Sequence, residues 1–72
     1  MINPAQVRRD QRVARLQLRK YVSQLRALSQ QPESPDRTDQ MEELSMYAAG
    51  HALLIEVAKQ TLATYYALPP LT

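Results

Sequence analysis

The chain has 72 residues, nine basic and seven acidic side chains, and a formal net charge of +2. It has no cysteine and a single histidine, which excludes a disulfide and a structural zinc site made of cysteine and histidine ligands. Because chains below about 80 residues rarely bury a sufficient core without such a staple, we expect an oligomer or a partner protein. One glycine, no phenylalanine or tryptophan, and many helix-forming residues favour an all-α fold.

The first helix is predicted from about residue 4 to about residue 30. Asn3 is placed as its N-cap, Pro4 takes the first helical position, and Gln6 stands where a capping box needs its amide. Apolar residues then recur at spacings of three and four, with Gln11 filling the one gap. These residues, the seam of the first helix, are Val7, Ala14, Leu18, Tyr21, Leu25 and Leu28.

The segment "QQPESPDRTD" holds two prolines and several turn-forming residues, which predicts a turn over residues 31 to 37. Ser34, Asp36 or Thr38 can cap a second helix over about residues 38 to 67, and a proline-rich tail follows at 68 to 72. The seam of this helix repeats at three and four without a gap, as in a coiled coil: Met41, Leu44, Ala48, His51, Ile55, Ala58, Leu62 and Tyr65.

A short connection between two long amphipathic helices predicts an antiparallel hairpin, a single domain over residues 1 to 72. We expect a partner chain, or homodimerisation into a helical bundle, to complete it. Leu28 then pairs with Met41 at the turn, and the same register brings Leu25 near Leu44, Tyr21 near Ala48, Leu18 near His51 and Ala14 near Ile55.

The second helix carries further large apolar residues among its charged ones. Met46, Leu53 and Val57 follow each other at spacings of seven and four, with Gly50 one turn from both Met46 and Leu53. We call these four residues the second stripe. A glycine inside a helix costs about 1 kcal/mol relative to alanine, so Gly50 suggests close approach of another backbone. The second stripe therefore predicts a partner-binding face, extended by Tyr65, Tyr66, Leu68 and Leu71, against the alternative of scattered surface residues without a role.

Five arginines of the first helix fall within an arc of about 60°. Residues 1 to 30 carry seven basic side chains and one acidic one, whereas residues 31 to 72 carry two basic and six acidic ones. In the hairpin register, Arg26 comes near Glu42 or Glu43 and Arg15 near Glu56, which predicts interhelical ion pairs. Nucleic acid or an acidic protein surface are the other candidate contacts. This arginine row comprises Arg8, Arg12, Arg15, Arg19 and Arg26.

No residue pattern indicates catalysis. His51 lies on the seam between Ala48 and Ile55, where a packing role is expected, and Glu42 and Glu43 are adjacent and so point to different sides of a helix. Phosphate-binding and dinucleotide-binding motifs need more than one glycine. We therefore expect no enzymatic activity, no catalytic residues, no cofactor and no metal.

The start of the chain is interrupted by arginines, so we expect no secretory signal. The longest uncharged runs, residues 44 to 55 and 60 to 72, are shorter than the roughly 18 apolar residues of a membrane-spanning helix. We expect a soluble, cytoplasmic protein.

Two segments carry a family resemblance. The segment "HALLIEVAKQTLATYYAL" resembles the closing helix of the small co-chaperones of type III secretion needle proteins, and "LRKYVSQLRAL" is similar to the pattern before their turn. In that family a two-helix protein pairs with a helical-repeat chaperone, and together they hold the needle subunit soluble in the cytoplasm. The resemblance implies that Met46, Leu53, Val57 and the nearby tyrosines contact the larger chaperone.

Two other classes of protein remain open. A homodimer of two hairpins, a four-helix bundle like the plasmid RNA-binding regulator of copy number, would bury the second stripe and offer its arginines to RNA. A small helical anti-activator, of the kind bacteriophages use against host transcription regulators, would also combine a homodimer with an apolar contact surface. Salt-sensitive retention of RNA or DNA would distinguish the first class from the second.

Overall fold

The computed structural model describes residues 2 to 67 and consists of two helices, α1 (Pro4–Ser29) and α2 (Pro35–Ala67). The helices pack side by side as a hairpin, which forms a rod about as long as α2, roughly 50 Å at 1.5 Å per residue. The predictions of an all-α fold and of a helical hairpin are confirmed. The predicted tail over residues 68 to 72 lies outside the described residues.

The cap predicted for α1 is formed. The Asn3 side chain accepts hydrogen bonds from the backbone amides of Ala5, at 3.1 Å, and Gln6, at 3.4 Å. The predicted capping box does not form, because the Gln6 side chain donates a hydrogen bond to the Asp10 carboxylate instead, at 2.9 Å. An i, i+4 partner on the same helix face is within easy reach of a glutamine amide. α1 ends at Ser29, one residue before the predicted limit.

α2 begins at Pro35, three residues before the predicted start, so the turn is shorter than residues 31 to 37. Ser34 is the capping residue among the three candidates: its hydroxyl accepts from the amide of Arg37 at 3.1 Å, and its carbonyl accepts from Thr38 at 3.1 Å. Pro35 fits the first helical position because its fixed φ suits a helix and its missing N–H has no partner there. Ser34 as the cap and Pro35 at the first helical position therefore account for the early start of the helix.

The two seams face each other as predicted. Every seam residue of α1, and those of α2 from Met41 to Leu62, are buried or half-buried, and Gln11 in the gap donates to the carbonyl of Ile55 at 3.3 Å. Tyr65 at the end of the α2 seam is 37% exposed. Within residues 2 to 67, Ala14, at 4% exposure, is the only buried residue. Two helices therefore leave most seam residues with one side still open to water.

An aromatic contact holds the middle of the hairpin in the predicted register. The ring of Tyr21 lies 5.6 Å from that of Tyr47 and 5.3 Å from that of His51, between centroids. Tyr47 and His51 flank Ala48, the residue that the register places beside Tyr21.

Candidate protein-binding surface

The second stripe lies on the outer side of α2, and Val57 at its end also borders a groove shared with α1. At about 100° per residue, its members project roughly opposite the seam. Met46 is 74% exposed, Leu53 63% and Val57 49%, and Gly50 between them is also exposed. Three large apolar side chains in one line thus face solvent at the middle of α2.

Gly50 has no packing reason inside the hairpin. A Cβ built on it meets nothing within 4 Å. Alanine would therefore fit this position without a clash, and it is the better helix former by about 1 kcal/mol. Any advantage of glycine here must come from outside the hairpin.

Two exposed residues of α2 beside the second stripe were missed from the sequence. Tyr47 is 48% exposed and Leu54 is 58% exposed. They are seven residues apart and so lie in one line, a spacing that could have revealed them. Leu54 lines a shallow groove between the helices together with Val7, Ala58 and Val57 of the second stripe. The apolar surface of α2 is therefore wider than the second stripe alone.

Two apolar residues of α1 are exposed as well, Val13 at 53% and Leu16 at 59%. Helical spacing places Leu16 on the side of α1 opposite its seam. Neither residue continues the second stripe, which belongs to the other helix. They are isolated apolar positions of the kind that protein surfaces ordinarily carry.

The structure brings Arg8 and Tyr66, predicted for two different contact surfaces, together at one end of the rod. The Arg8 guanidinium donates a hydrogen bond to the Tyr66 hydroxyl, and its carbon lies 5.3 Å from the ring centroid. Tyr66 is 57% exposed and packs edge-on against Tyr65, with centroids 5.2 Å apart. Tyr65 and Tyr66 lie more than two helical turns from the nearest member of the second stripe, and Leu68 and Leu71 fall outside the described residues.

The predicted interhelical ion pairs are not formed. Among residues 2 to 67, the one ion pair joins Arg37 to Glu33 at 3.8 Å, and it lies at the turn rather than between the helices. Arg37 also donates to the carbonyl of Gln31 at 2.7 Å. The predicted pairs of Arg26 with Glu42 or Glu43 and of Arg15 with Glu56 fail because long exposed side chains gain little by giving up water for each other.

All five members of the arginine row are exposed. Within residues 2 to 67, four of these side chains have neither a hydrogen-bond acceptor nor a carboxylate partner. The exception is Arg8, which donates to the Tyr66 hydroxyl. The row thus presents unneutralised positive charge along about 27 Å of α1, at 1.5 Å per residue. Those four are Arg12, Arg15, Arg19 and Arg26.

His51 has the packing role predicted for it. Its Nδ1 lies 2.8 Å from the carbonyl oxygen of Tyr47, which can only accept, so Nδ1 carries the proton.

The Tyr47 hydroxyl donates to Glu43 at 3.1 Å. This hydrogen bond, and then the charge of the carboxylate, raise the pKa of Tyr47 above its usual 10.0.

Within residues 2 to 67, no three side chains of the metal-ligating types lie together. Neither helix in that range combines the length and the hydropathy that crossing a lipid bilayer requires.

Comparison with known protein families, curated proteins and solved structures finds no match to this chain.

Proposed function

We propose that this protein is a non-enzymatic protein-binding module whose partner packs on the second stripe of α2. The observation that carries the proposal is the exposure of Met46, Leu53 and Val57 in one line opposite the seam. Soluble proteins seldom leave a row of large apolar side chains in water unless another surface covers it.

The energetics support a partner on this face. Burying a large apolar side chain stabilises a structure by about 1.5 to 3 kcal/mol, so three such residues represent several kcal/mol of unused burial. The hairpin itself buries little, with Ala14 the only buried residue among residues 2 to 67. A bound partner would add the burial that two helices cannot provide.

In its specific form, the proposal is a small cytoplasmic co-chaperone that stabilises a secretion-system partner. Support comes from the family resemblance of the two segments and from a two-helix form with one apolar face uncovered. The mechanism is limited to shielding: the second stripe and a helical-repeat chaperone cover each other, which keeps both chains soluble. No proton transfer, covalent step or cofactor is part of it.

The test is site-specific photo-crosslinking in living cells of the source organism. A photo-crosslinker at Leu53 should give one dominant protein product, whereas the same group at Leu16, which is about equally exposed, should give none. A helical-repeat protein in the product would support the co-chaperone, and a transcription regulator would support an anti-activator. Equal, weak products at both positions would refute the second stripe as a binding face.

A second candidate function, RNA binding by a homodimeric helical bundle, is favoured by one observation. The arginine row is exposed, and within residues 2 to 67 no carboxylate neutralises it. Spacings of four, three, four and seven place its guanidinium groups along one side of α1, where a phosphate backbone could follow them.

Retention of RNA on a filter, measured over a range of salt concentrations, tests this candidate. Binding through phosphates should weaken steeply with salt, with a slope that falls by about one for each phosphate contact removed. Arg12→Gln should lower that slope, whereas Arg9→Gln, an exposed arginine of α1 outside the row, should change it less. Identical slopes for the two variants would remove the arginine row as the contact.

A further inference from the structure

We propose that the occupant of the second stripe is a second copy of this chain, packed with its α2 antiparallel to the first. The inference rests on the proposed function, namely that this face binds protein, and it names the partner. Three properties of the face carry it: its period, its fit to itself under a two-fold axis, and the distribution of its charges.

The face has the period of a coiled-coil seam. Its residues follow one another at alternating spacings of four and three over eight positions, the same rhythm as the seam that packs on α1. All eight are exposed in the hairpin. α2 is therefore built with two helix-packing sides, of which α1 uses one. The eight positions are Asp39, Glu43, Met46, Gly50, Leu53, Val57, Gln60 and Thr64.

A two-fold axis through the middle of this face pairs large residues with small ones. Gly50 then lies opposite Leu53 of the second copy, and Met46 lies opposite Val57 of the second copy, each pair occurring twice. The leucine would enter the space above Gly50, where a Cβ meets nothing within 4 Å. Close packing of this kind explains a glycine that the hairpin itself does not require.

The polar ends of the face obey the same symmetry. Its acidic groups, Asp39 and Glu43, lie at one end, and its uncharged groups, Gln60 and Thr64, lie at the other. The axis that pairs Gly50 with Leu53 also brings Glu43 to Gln60 of the second copy and Asp39 to Thr64 of the second copy. Each carboxylate would face a hydrogen-bond donor.

Parallel packing lacks this complementarity. It would put Glu43 against Glu43 and Asp39 against Asp39, where like charges repel. It would also put Gly50 against Gly50, leaving a gap at the centre of the interface. A face shaped by an unrelated partner has no reason to complement itself, whereas a two-fold interface must.

Self-association would have a measurable effect on any foreign partner. Such a partner would have to displace the second copy, so its apparent affinity should fall as the concentration of this protein rises. The two copies would also keep the second stripe covered in the absence of that partner.

Disulfide mapping tests the inference, because the chain has no cysteine of its own. Under mild oxidation, a mixture of Met46→Cys and Val57→Cys chains should give mixed dimers, since opposite positions come within the roughly 6 Å that a disulfide spans. Each variant alone should give few crosslinked dimers. The cysteines of its two chains would then lie about 16 Å apart along the helices, at 1.5 Å per residue. Mixtures of Leu16→Cys with Val57→Cys serve as the matched control.

The outcomes separate this inference from the proposed function. Efficient self-crosslinking of each variant alone would mean parallel packing and overturn the inference. No crosslinking, together with a light-scattering mass that stays at the 8.2 kDa of one chain at all concentrations, would also overturn it. The photo-crosslink from Leu53 to a foreign protein could still succeed in that case, whereas the absence of any dominant product from Leu53, foreign or self, would count against the proposed function.

Gly50→Ala supplies a second test with a folded variant. Inside the hairpin the new methyl group meets nothing, so the helix signal in circular dichroism should not decrease. At the dimer axis it would occupy the space of Leu53 of the second copy, twice per dimer, and should raise the dimer dissociation constant about tenfold or more. Unchanged dimerisation of this variant would rule out the proposed register.

Discussion

The ring of Tyr21 on α1 stacks on the ring of Tyr47 on α2, with centroids 5.6 Å apart and planes inclined by 30°. His51 approaches Tyr21 as well, at 5.3 Å between centroids. Because these three rings come from two helices, their contact fixes how far α1 and α2 slide past each other.

Removing the central ring should therefore destabilise the hairpin. We expect Tyr21→Ala to lower the free energy of unfolding by about 2 to 3 kcal/mol, from lost apolar burial and lost aromatic pairing. Tyr21→Phe keeps the ring and should stay within about 0.5 kcal/mol of the original chain. Urea denaturation followed by circular dichroism measures both. A Tyr21→Ala chain as stable as Tyr21→Phe would show that the stack contributes little.

Ala14 on α1 is the most buried residue within residues 2 to 67, being 4% exposed. A larger side chain there must push the helices apart, so we expect Ala14→Leu to cost about 1 to 3 kcal/mol of stability. Ala27→Leu makes the same change at an exposed position of α1 and should be close to neutral. Chemical denaturation of the two variants side by side gives the comparison, and equal costs would contradict the packing described for Ala14.

The Tyr47 phenol should titrate above 10.0, since the hydrogen bond to Glu43 and the charge of that carboxylate both stabilise its neutral form. A raised folded pKa means that this contribution to stability is complete below 10.0 and is lost as the pH rises through the folded value. Glu43→Ala should return the pKa of Tyr47 towards 10.0, and Glu43→Gln, which removes the charge alone, should move it less. Phenolate absorbance, assigned by comparison with Tyr47→Phe, reports the shift.

Leu53 separates folding from association. Because Leu53 is 63% exposed on the side of α2 away from α1, Leu53→Asp should leave helix content nearly intact and abolish association. Leu16→Asp introduces the same charge at a similarly exposed site of α1 and should leave association unchanged. Circular dichroism and light scattering follow the two properties separately. Equal loss of helix content and association would place Leu53 in the core of the hairpin and end the argument for two packing sides of α2.

Arg26 tests the absence of interhelical ion pairs. With no carboxylate paired to it, Arg26→Gln should change the free energy of unfolding by less than about 0.5 kcal/mol. Arg37→Gln should cost more, because it removes the ion pair to Glu33 and the hydrogen bond to the Gln31 carbonyl at the turn. A larger loss of unfolding free energy for Arg26→Gln than for Arg37→Gln would indicate that the interhelical ion pairs predicted from the sequence do form.

The sequence by itself determined the two helices, the sides on which they meet and the second apolar side of α2. These features depend on a repeat of three and four residues, which helix geometry converts directly into a face. The same repeat fixed the register well enough to bring Tyr21 beside Ala48. The second stripe is exposed because α2 has only one neighbouring helix, which covers its other side.

Only the tertiary structure decided which polar side chains meet. It paired Arg8 with Tyr66, left Arg15 and Arg26 without carboxylates, and placed Arg37 at the turn, within hydrogen-bond reach of Gln31. Periodicity assigns a residue to a side of a helix, but a hydrogen bond depends on shifts of an ångström and on the rotamers of long side chains. The contact of Arg8 with Tyr66 is settled by the packed pair of helices, because neither helix alone contains both partners.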